Sequence, residues 1–203
     1  MRKTIEEYLS GHSGVIARVV DTHTDTIIKI VEAVVDSYKN DGKLVLFGNV
    51  GSAQDAQHIA AELVGIYTME RKSLPAIALT TNTSVLTALP NDYYYHSVFE
   101  RQIEGMVRPG DVVIGISTSG NAGNVIRGIL KAKEIGAKTI GFTGEGGGEL
   151  KNKVDILFDV PSSTTGHIQE AHIAVGHIMC ELVEQGLFKP EIFGQALSPD
   201  HGE

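Results

Sequence analysis

The sequence predicts an α/β protein, a three-layer α/β/α sandwich around a five-stranded parallel sheet. From residue 43 onward, apolar runs of strand length alternate with helical patterns, and such alternation indicates parallel strands joined by crossover helices. Right-handed crossovers in both directions then place helices on both faces of the sheet. The predicted strands occupy residues 43–47, 75–79, 111–116, 138–142 and 155–160.

Residues 4–40 precede the first predicted strand and show helical periodicity. Two glycines in the segment Ser10–Gly14 predict a break into two helices. These helices carry more apolar surface than the cap of one sheet needs, which indicates packing against another subunit. We therefore expect a single domain over residues 1–190, with oligomerisation helices at about residues 4–40 and a mobile tail at residues 191–203.

Composition and charge exclude several classes of protein. Hydrophobic residues make up 42% of the 203 residues and charged residues 21%, which is typical of a globular protein. A net charge of −8 argues against nucleic acid as a direct ligand. Cys180 is the single cysteine, which rules out an intrachain disulfide and fits a reducing compartment. The sequence has no signal-peptide pattern and no apolar run of about 18 residues, so we expect a cytoplasmic protein without a membrane partner.

The first predicted strand ends in a glycine-punctuated turn, Gly48-Asn-Val-Gly-Ser52, which leads into a predicted helix over residues 53–67. The backbone N–H groups of a first helical turn are unpaired and lie at the positive end of the helix dipole. Such a turn therefore favours an anion such as a phosphate. Further along this helix, His58 and Glu62 lie four residues apart on one face, a spacing that metal sites use.

Polar clusters follow the predicted strands, and ligands of parallel sheets bind at the carboxyl ends of the strands. The third strand is followed by Ser117, Thr118 and Ser119, directly before a predicted helix. One interpretation is helix capping alone. The other is a neutral, donor-rich cradle that binds a phosphomonoester without Lys or Arg. The glycine-rich segment 144–148 has no long helix directly behind it and is interpreted as only a flexible turn.

The last predicted helix, residues 165–187, carries three candidate polar residues. Gln169 and His177 lie eight residues apart, so they project to roughly the same side of the helix, two turns apart. His172 lies closer to a different face. A lone histidine on a helix is more often structural than chemical, so the pattern of Gln169 and His177 is the more informative one.

Several long motifs, in the right order and covering nearly the whole chain to about Leu187, resemble the phosphoheptose isomerase family. Its members are sedoheptulose 7-phosphate isomerases built on the sugar isomerase (SIS) domain, which is flavodoxin-like. The motifs are Gly48–Leu63, Leu74–Thr81, Asn91–Asp92, Gly115–Asn121 and Ile168–His172 with His177.

The resemblance implies conversion of sedoheptulose 7-phosphate to D-glycero-D-manno-heptose 7-phosphate through an enediol, with Glu62 as the base and His177 as the acid. It implies one Zn²⁺ per subunit, held by His58, Glu62, Gln169 and His177. The phosphate would be held by Ser117, Thr118 and Ser119. Substrate contacts are further implied for Asn49, Val50, Gly51, Ser52, Glu62, Asn91, Asp92 and Gln169. The family forms homotetramers with the site at a subunit interface.

This chain departs from the family pattern at four positions. Val50 replaces a glycine, Ile66 stands where an arginine is usual, Ala122 where a serine often completes the phosphate cradle, and Gly166 where a polar or charged residue often precedes the glutamine. Three readings stay open: a heptose phosphate isomerase, an isomerase of another phosphorylated ketose, and a non-catalytic SIS domain that binds a phosphosugar or a protein. The complete set of metal and acid/base residues argues against the third, because a scaffold has no need of it.

Overall fold

The structure, a computed structural model, describes residues 1–191 of the chain. Its strands are β1 (Leu44–Gly48), β2 (Ala76–Ala78), β3 (Val112–Ile116), β4 (Lys138–Thr143) and β5 (Ile156–Asp159). They form one sheet in the order β2-β1-β3-β4-β5, and every neighbouring pair is parallel. The predicted sheet is confirmed, and each predicted strand end agrees within one residue. Except for Glu191, the predicted mobile tail lies outside the described residues.

Within residues 1–191, six α-helices accompany the sheet, and two short 3₁₀ turns occupy Tyr95–Ser97 and Gly148–Asn152. The helices are α1 (Arg2–Lys39), α2 (Gly51–Val64), α3 (Thr83–Asp92), α4 (Val98–Met106), α5 (Gly123–Ile135) and α6 (Thr165–Phe188). Among residues 1–191, no helix combines the length and the apolar character needed to cross a membrane.

Two hydrophobic cores lie on opposite faces of the sheet, because alternate strand residues point to opposite faces. Leu44 and Leu46 of β1 pack with buried residues of α1, α2 and α6. The alternate residues Val45 and Phe47 lie on the opposite face and pack with α4 and α5. The predicted three-layer α/β/α sandwich is therefore confirmed.

The predicted break at Ser10–Gly14 is wrong. This segment lies inside α1, a continuous helix of 38 residues that is about 57 Å long. A glycine in a helix interior costs only about 1 kcal/mol relative to alanine. The rest of α1 offsets that cost by burying apolar residues from Val15 to Val35 against α6 and the sheet. The Ser13 hydroxyl also donates a hydrogen bond to the Leu9 carbonyl, at 3.0 Å, so its polar group is satisfied within the helix.

The register of the sheet brings two loops side by side. Gly48, the last residue of β1, is paired with Ile116, the last residue of β3. The Ser117 N–H donates to the Phe142 carbonyl at 2.9 Å, which extends the pairing of β3 with β4 by one residue. The turn after β1 and the hydroxyl loop after β3 therefore leave the sheet next to each other, as the sequence predicts for a parallel sheet.

The turn between β1 and α2 is tight and has an unusual backbone. The Ser52 N–H donates to the Asn49 carbonyl at 3.0 Å, and Val50 between them has φ 56° and ψ −116°. A β-branched residue at positive φ is a genuine outlier, and such strain costs on the order of 1–3 kcal/mol. The Val50 side chain is 91% exposed, so little packing offsets this cost.

A buried ion pair connects α6 to the segment after α2. Arg71 Nε donates to Glu184 Oε1 at 2.9 Å, and both side chains are at most 1% exposed. The Arg71 guanidinium also donates to the carbonyls of Glu62, Leu63 and Gly65 near the end of α2. The Glu184 carboxylate accepts further hydrogen bonds from Tyr67 N–H and Thr68. This network fixes the backbone that follows α2.

The stability that this network contributes depends on pH, because the Glu184 carboxylate titrates. Burial alone would raise the pKa of Glu184, but the hydrogen bonds from Thr68 and Tyr67 and the charge of Arg71 outweigh it, so the pKa lies below its ordinary value of 4.5. A lowered pKa in the folded state means that the carboxylate stabilises the fold above about pH 4.5. That stabilisation is lost as the pH falls through the lower pKa of the folded state.

We expect Glu184→Gln to lower the free energy of unfolding by about 3–5 kcal/mol at neutral pH, because Arg71 would be left as a buried, uncompensated charge. Urea denaturation measures the change. The matched control is Glu181→Gln, on an exposed position of the same helix, which should change stability by about 0.5 kcal/mol or less. The difference between Glu184→Gln and the parent should shrink below pH 4.5, and a difference independent of pH would contradict the assignment.

We expect Val50→Gly to raise the free energy of unfolding by about 1 kcal/mol, since relief of the backbone strain exceeds the entropy that glycine adds to the unfolded chain. Val20→Gly is the control, because Val20 is also exposed but lies within helix α1. It should lower stability by about 0.5 kcal/mol. Equal losses in the two variants would show that Val50 is unstrained.

Candidate active site

Three side chains from two neighbouring helices converge at one point. His58 and Glu62 lie one turn apart on α2, and His177 lies on α6, 119 residues after His58. His58 Nε2 is 3.1 Å from Glu62 Oε1 and 3.2 Å from His177 Nε2. One ligand atom from each residue lies within 4.8 Å of the other two.

This arrangement fits a divalent cation. A single nitrogen, His58 Nε2, faces both a carboxylate oxygen and another imidazole nitrogen, and one proton on that nitrogen cannot satisfy both contacts well. Two imidazoles and a carboxylate are a ligand set that zinc uses in catalytic sites, where a fourth position stays open. The side chains of His58 and Glu62 are 45% and 26% exposed, so the group is open to small ligands.

The ring of Tyr67, which no sequence motif marks, packs against His177. The Tyr67 ring lies parallel to the His177 imidazole, with 5.7 Å between centroids and 8° between planes. The backbone of Tyr67 is held by the Glu184 carboxylate in the buried network described above. No sequence pattern marks this contact, because Tyr67 lies outside the regular helical repeat of α2.

Gln169 and His172 occupy different surroundings on α6. The Gln169 amide lies in the space that a side chain would occupy at Gly51, the first residue of α2. Gln169 therefore lies against the β1–α2 turn, about two helical turns from His177. His172 is buried against the sheet, where its Nε2 donates to the Thr143 carbonyl at 3.0 Å, and burial lowers its pKa to about 4. It is a neutral, structural histidine at neutral pH.

The hydroxyl loop after β3 contains the residues predicted to bind phosphate. Ser117 is buried, whereas Thr118 and Ser119 line a cavity of about 270 Å³ together with Ser162, Ser163 and Thr165 at the start of α6. The N-cap of α5, Ala122, provides no capping side chain, although the Val125 N–H in the first turn donates to Asn124 Oδ1 at 3.0 Å. The hydroxyl groups and the start of α5 favour binding of an anion, whereas Glu145, which also lines this cavity, opposes it.

The glycine-rich segment after β4 is more than a flexible turn. The N–H groups of Gly144 and Leu150 donate to the carbonyls of Thr118 and Gly120, at 2.9 and 3.0 Å. Glu149 N–H donates to the Asn121 side chain at 2.9 Å. A 3₁₀ turn begins within the segment, at Gly148. These hydrogen bonds hold the backbone of the hydroxyl loop in place, which the sequence alone did not indicate.

The remaining predicted substrate residues lie in two segments. Asn91 and Asp92 end α3, are exposed, and are bonded to each other by Asn91 Nδ2 to Asp92 Oδ1 at 2.9 Å. At the β1–α2 turn, the Asn49 side chain forms a reciprocal pair with Asn124 of α5. Tyr95, three residues after Asp92, donates to the same Asn49 oxygen at 3.2 Å. Asn124 and Tyr95 are not found by the motifs, since neither has a recognisable spacing.

Comparisons with known proteins support a single family. The SIS domain family model matches residues 7–144. The phosphoheptose isomerase of Aquifex aeolicus is 54% identical over 82% of this chain and 87% of its own length. That of Sulfurimonas denitrificans is 47% identical over 98% of this chain and 100% of its own.

Solved structures agree with the sequence comparisons. The phosphoheptose isomerase from Neisseria gonorrhoeae superimposes with a TM-score of 0.86 at 37% identity, covering 91% of this chain and 98% of that chain. The enzyme from Francisella tularensis gives 0.88 at 31% identity, covering 90% and 97%. The resemblance found in the motifs is confirmed. On this evidence the chain belongs to the phosphoheptose isomerase family of SIS-domain proteins.

Proposed function

We propose that this chain is an aldose–ketose isomerase that converts sedoheptulose 7-phosphate to D-glycero-D-manno-heptose 7-phosphate. The observation that carries the proposal is the convergence of His58, Glu62 and His177 in a chain about half identical to phosphoheptose isomerases. A binding module has no need for this group of a carboxylate and two imidazoles. The hydroxyl loop after β3, which follows a strand next to β1, would hold the phosphate.

Glu62 is the proposed base and His177 the proposed acid. The reaction removes a proton from carbon 1 of the ketose, forms an enediol, and returns a proton to carbon 2. A carboxylate performs the transfers at carbon, while a second group moves a proton between the two oxygens. Glu62 lies 3.1 Å from His58 and is only partly exposed, and the His177 ring lies parallel to the Tyr67 ring. These contacts support the proposed roles of Glu62 and His177.

His58, Glu62 and His177 would hold the proposed Zn²⁺, and Gln169 is proposed as a further ligand on the family resemblance alone. Bound there, the ion would act as a Lewis acid towards the sugar carbonyl. His58 makes the shortest contacts to both other groups, so it is the residue that holds the set together. Gln169 lies against Gly51, at the turn that carries the proposed sugar contacts.

Substrate contacts are proposed along the carboxyl edge of the sheet. The phosphate would bind to Ser117, Thr118, Ser119 and backbone N–H groups at the start of α5. The sugar would lie between this loop and the metal ligands. Its proposed contacts are Asn49, Val50, Gly51, Ser52, Glu62, Asn91, Asp92 and Gln169. The sheet register supports this orientation of the sugar, because the hydroxyl loop after β3 leaves the sheet beside the β1–α2 turn.

We propose that residues 1–190 form one cytoplasmic SIS domain that assembles as a homotetramer, with helix α1 in the subunit contacts. Supporting this, the first half of α1 is largely exposed yet carries Ile5 and Leu9, which are 54% and 59% exposed. An apolar groove between α1 and α6, of about 230 Å³, adds to the uncovered apolar surface. Sites at the subunit interfaces would follow, because α6 also carries His177.

A second candidate is isomerisation of another phosphorylated ketose. Two observations favour it: Val50 projects from the turn with a 91% exposed side chain, and Ile66, 52% exposed, stands where relatives usually carry an arginine. Both change the chemistry of the surface near the proposed site without affecting His58, Glu62 or His177. The alternative keeps the same reaction and changes only the sugar.

The parent protein should convert sedoheptulose 7-phosphate to the aldose, faster with added zinc than after chelation. NMR of the sugar carbons measures product formation directly. The control is a panel of other phosphorylated ketoses at equal concentration. Turnover of one of these alone would select the second candidate, and binding without turnover of any would select the non-catalytic module.

Glu62→Gln should bind phosphosugar with little loss while turnover falls by about 10²- to 10⁴-fold, the loss typical of removing a general base. The amide keeps the shape and still offers a neutral oxygen to a metal, but it cannot accept the proton. Exchange of deuterium into carbon 1 of the substrate in heavy water reports proton abstraction separately from product release. Exchange at the parent rate would assign the base to another residue, with His177 the next to test.

A further inference from the structure

The side chains of Asn49 and Asn124 form a reciprocal amide pair that joins two loops. Asn49 Nδ2 donates to Asn124 Oδ1 at 2.9 Å, and Asn124 Nδ2 donates to Asn49 Oδ1 at 2.8 Å. Asn124 is 3% exposed, and its Oδ1 also accepts from the Val125 N–H at 3.0 Å. Each amide thereby fixes the orientation of the other, because reversing either would place like groups face to face.

A third segment joins the same point. The Tyr95 hydroxyl donates to Asn49 Oδ1 at 3.2 Å, so this oxygen accepts two hydrogen bonds and has both lone pairs engaged. Tyr95 begins the 3₁₀ turn that follows Asp92. The Asn49 cluster, meaning Asn49, Asn124 and Tyr95, therefore ties together the β1–α2 turn, the segment after α3 and the start of α5.

These three segments are the ones that carry the proposed sugar and phosphate contacts. Asn49 begins the turn beside the sugar, Tyr95 lies three residues after Asp92, and Asn124 lies five residues after Ser119. With its oxygen fully engaged, the side chain of Asn49 has one free N–H left for a ligand. Its larger role is to hold the loops at a fixed separation.

We propose that Asn124 and Tyr95 are positioning residues that, through Asn49, set the distance between the phosphate loop and the sugar-binding turn. They act through other residues and need not touch the substrate. The identity of the ligand rests on the proposed function, whereas the coupling of the loops does not. A ligand that spans both loops gains from their fixed separation, since its second contact forms without a further loss of freedom. A ligand that occupies the phosphate loop alone gains nothing from it.

Asn124→Asp tests the positioning role with nearly unchanged shape. The carboxylate still accepts from the N–H groups of Asn49 and Val125, but it cannot donate to Asn49 Oδ1 and places an oxygen against it. We expect the KM for the phosphosugar to rise about ten-fold or more, while the inhibition constant of inorganic phosphate stays within about two-fold of the parent. The KM, relative to the parent at the same pH, should recover as the new carboxyl becomes protonated and can donate again.

Tyr95→Phe tests the same cluster without altering a buried group, because Tyr95 is 56% exposed. It should show the same selective loss, smaller in size. Tyr94→Phe is the matched control, as the neighbouring tyrosine is 79% exposed and should leave both constants unchanged. Equal losses for phosphosugar and inorganic phosphate would overturn the proposal, since they would indicate local damage to the phosphate loop.

Amide hydrogen exchange gives a result that does not depend on the substrate. In both Asn124→Asp and Tyr95→Phe, residues 49–52 should exchange faster than in the parent, although neither substitution lies in that turn. Unchanged exchange at residues 49–52 would overturn the positioning role. Absence of sedoheptulose 7-phosphate turnover in the parent, with faster exchange in both variants, would instead contradict the proposed function and leave the coupling supported.

Discussion

Close contact between helices α2 and α6 is the constraint on which the candidate site depends. Gly176 of α6 provides no side chain at the point where Ile59 of α2 packs, and an added Cβ would lie 2.7 Å from Ile59 Cδ1. Each of these residues is the sequence neighbour of a site histidine, His58 or His177. The same close approach that buries Ile59 therefore brings the two imidazoles to 3.2 Å. The buried pair of Arg71 and Glu184 fixes the other end of this contact, where α2 ends.

Much of this arrangement could be predicted from the sequence, because its elements follow local patterns. The strands are short apolar runs bounded by polar or glycine residues, so their ends were found within one residue. The pairing of His58 with Glu62 follows from helical spacing alone. The contact of both with His177 does not, since it crosses 119 residues and depends on helix packing. Only the family resemblance placed the three together before the structure did.

Other features have no local pattern and were missed or misread. The glycines at positions 11 and 14 suggested a break, yet burial of the rest of α1 against the sheet outweighed their low helix propensity. Asn124 and Tyr95 contact Asn49 through tertiary hydrogen bonds, which no spacing in the sequence reveals. Gly166 differs from the family pattern at a point where the Tyr8 hydroxyl of α1 lies, and a side chain there would require this hydroxyl to move. The structure gives no comparable reason for Ile66.

The placement of functional groups on α6 restricts how the length of this chain can change during evolution. An extra residue in an α-helix turns everything beyond it by about 100°. One insertion between Gln169 and His177 would therefore rotate the imidazole away from α2 while leaving the amide at Gly51. The connections at the opposite edge of the sheet, such as Val107–Asp111 before β3, carry no site group. Insertions and deletions should therefore disturb the site less at that edge than between Gln169 and His177 of α6.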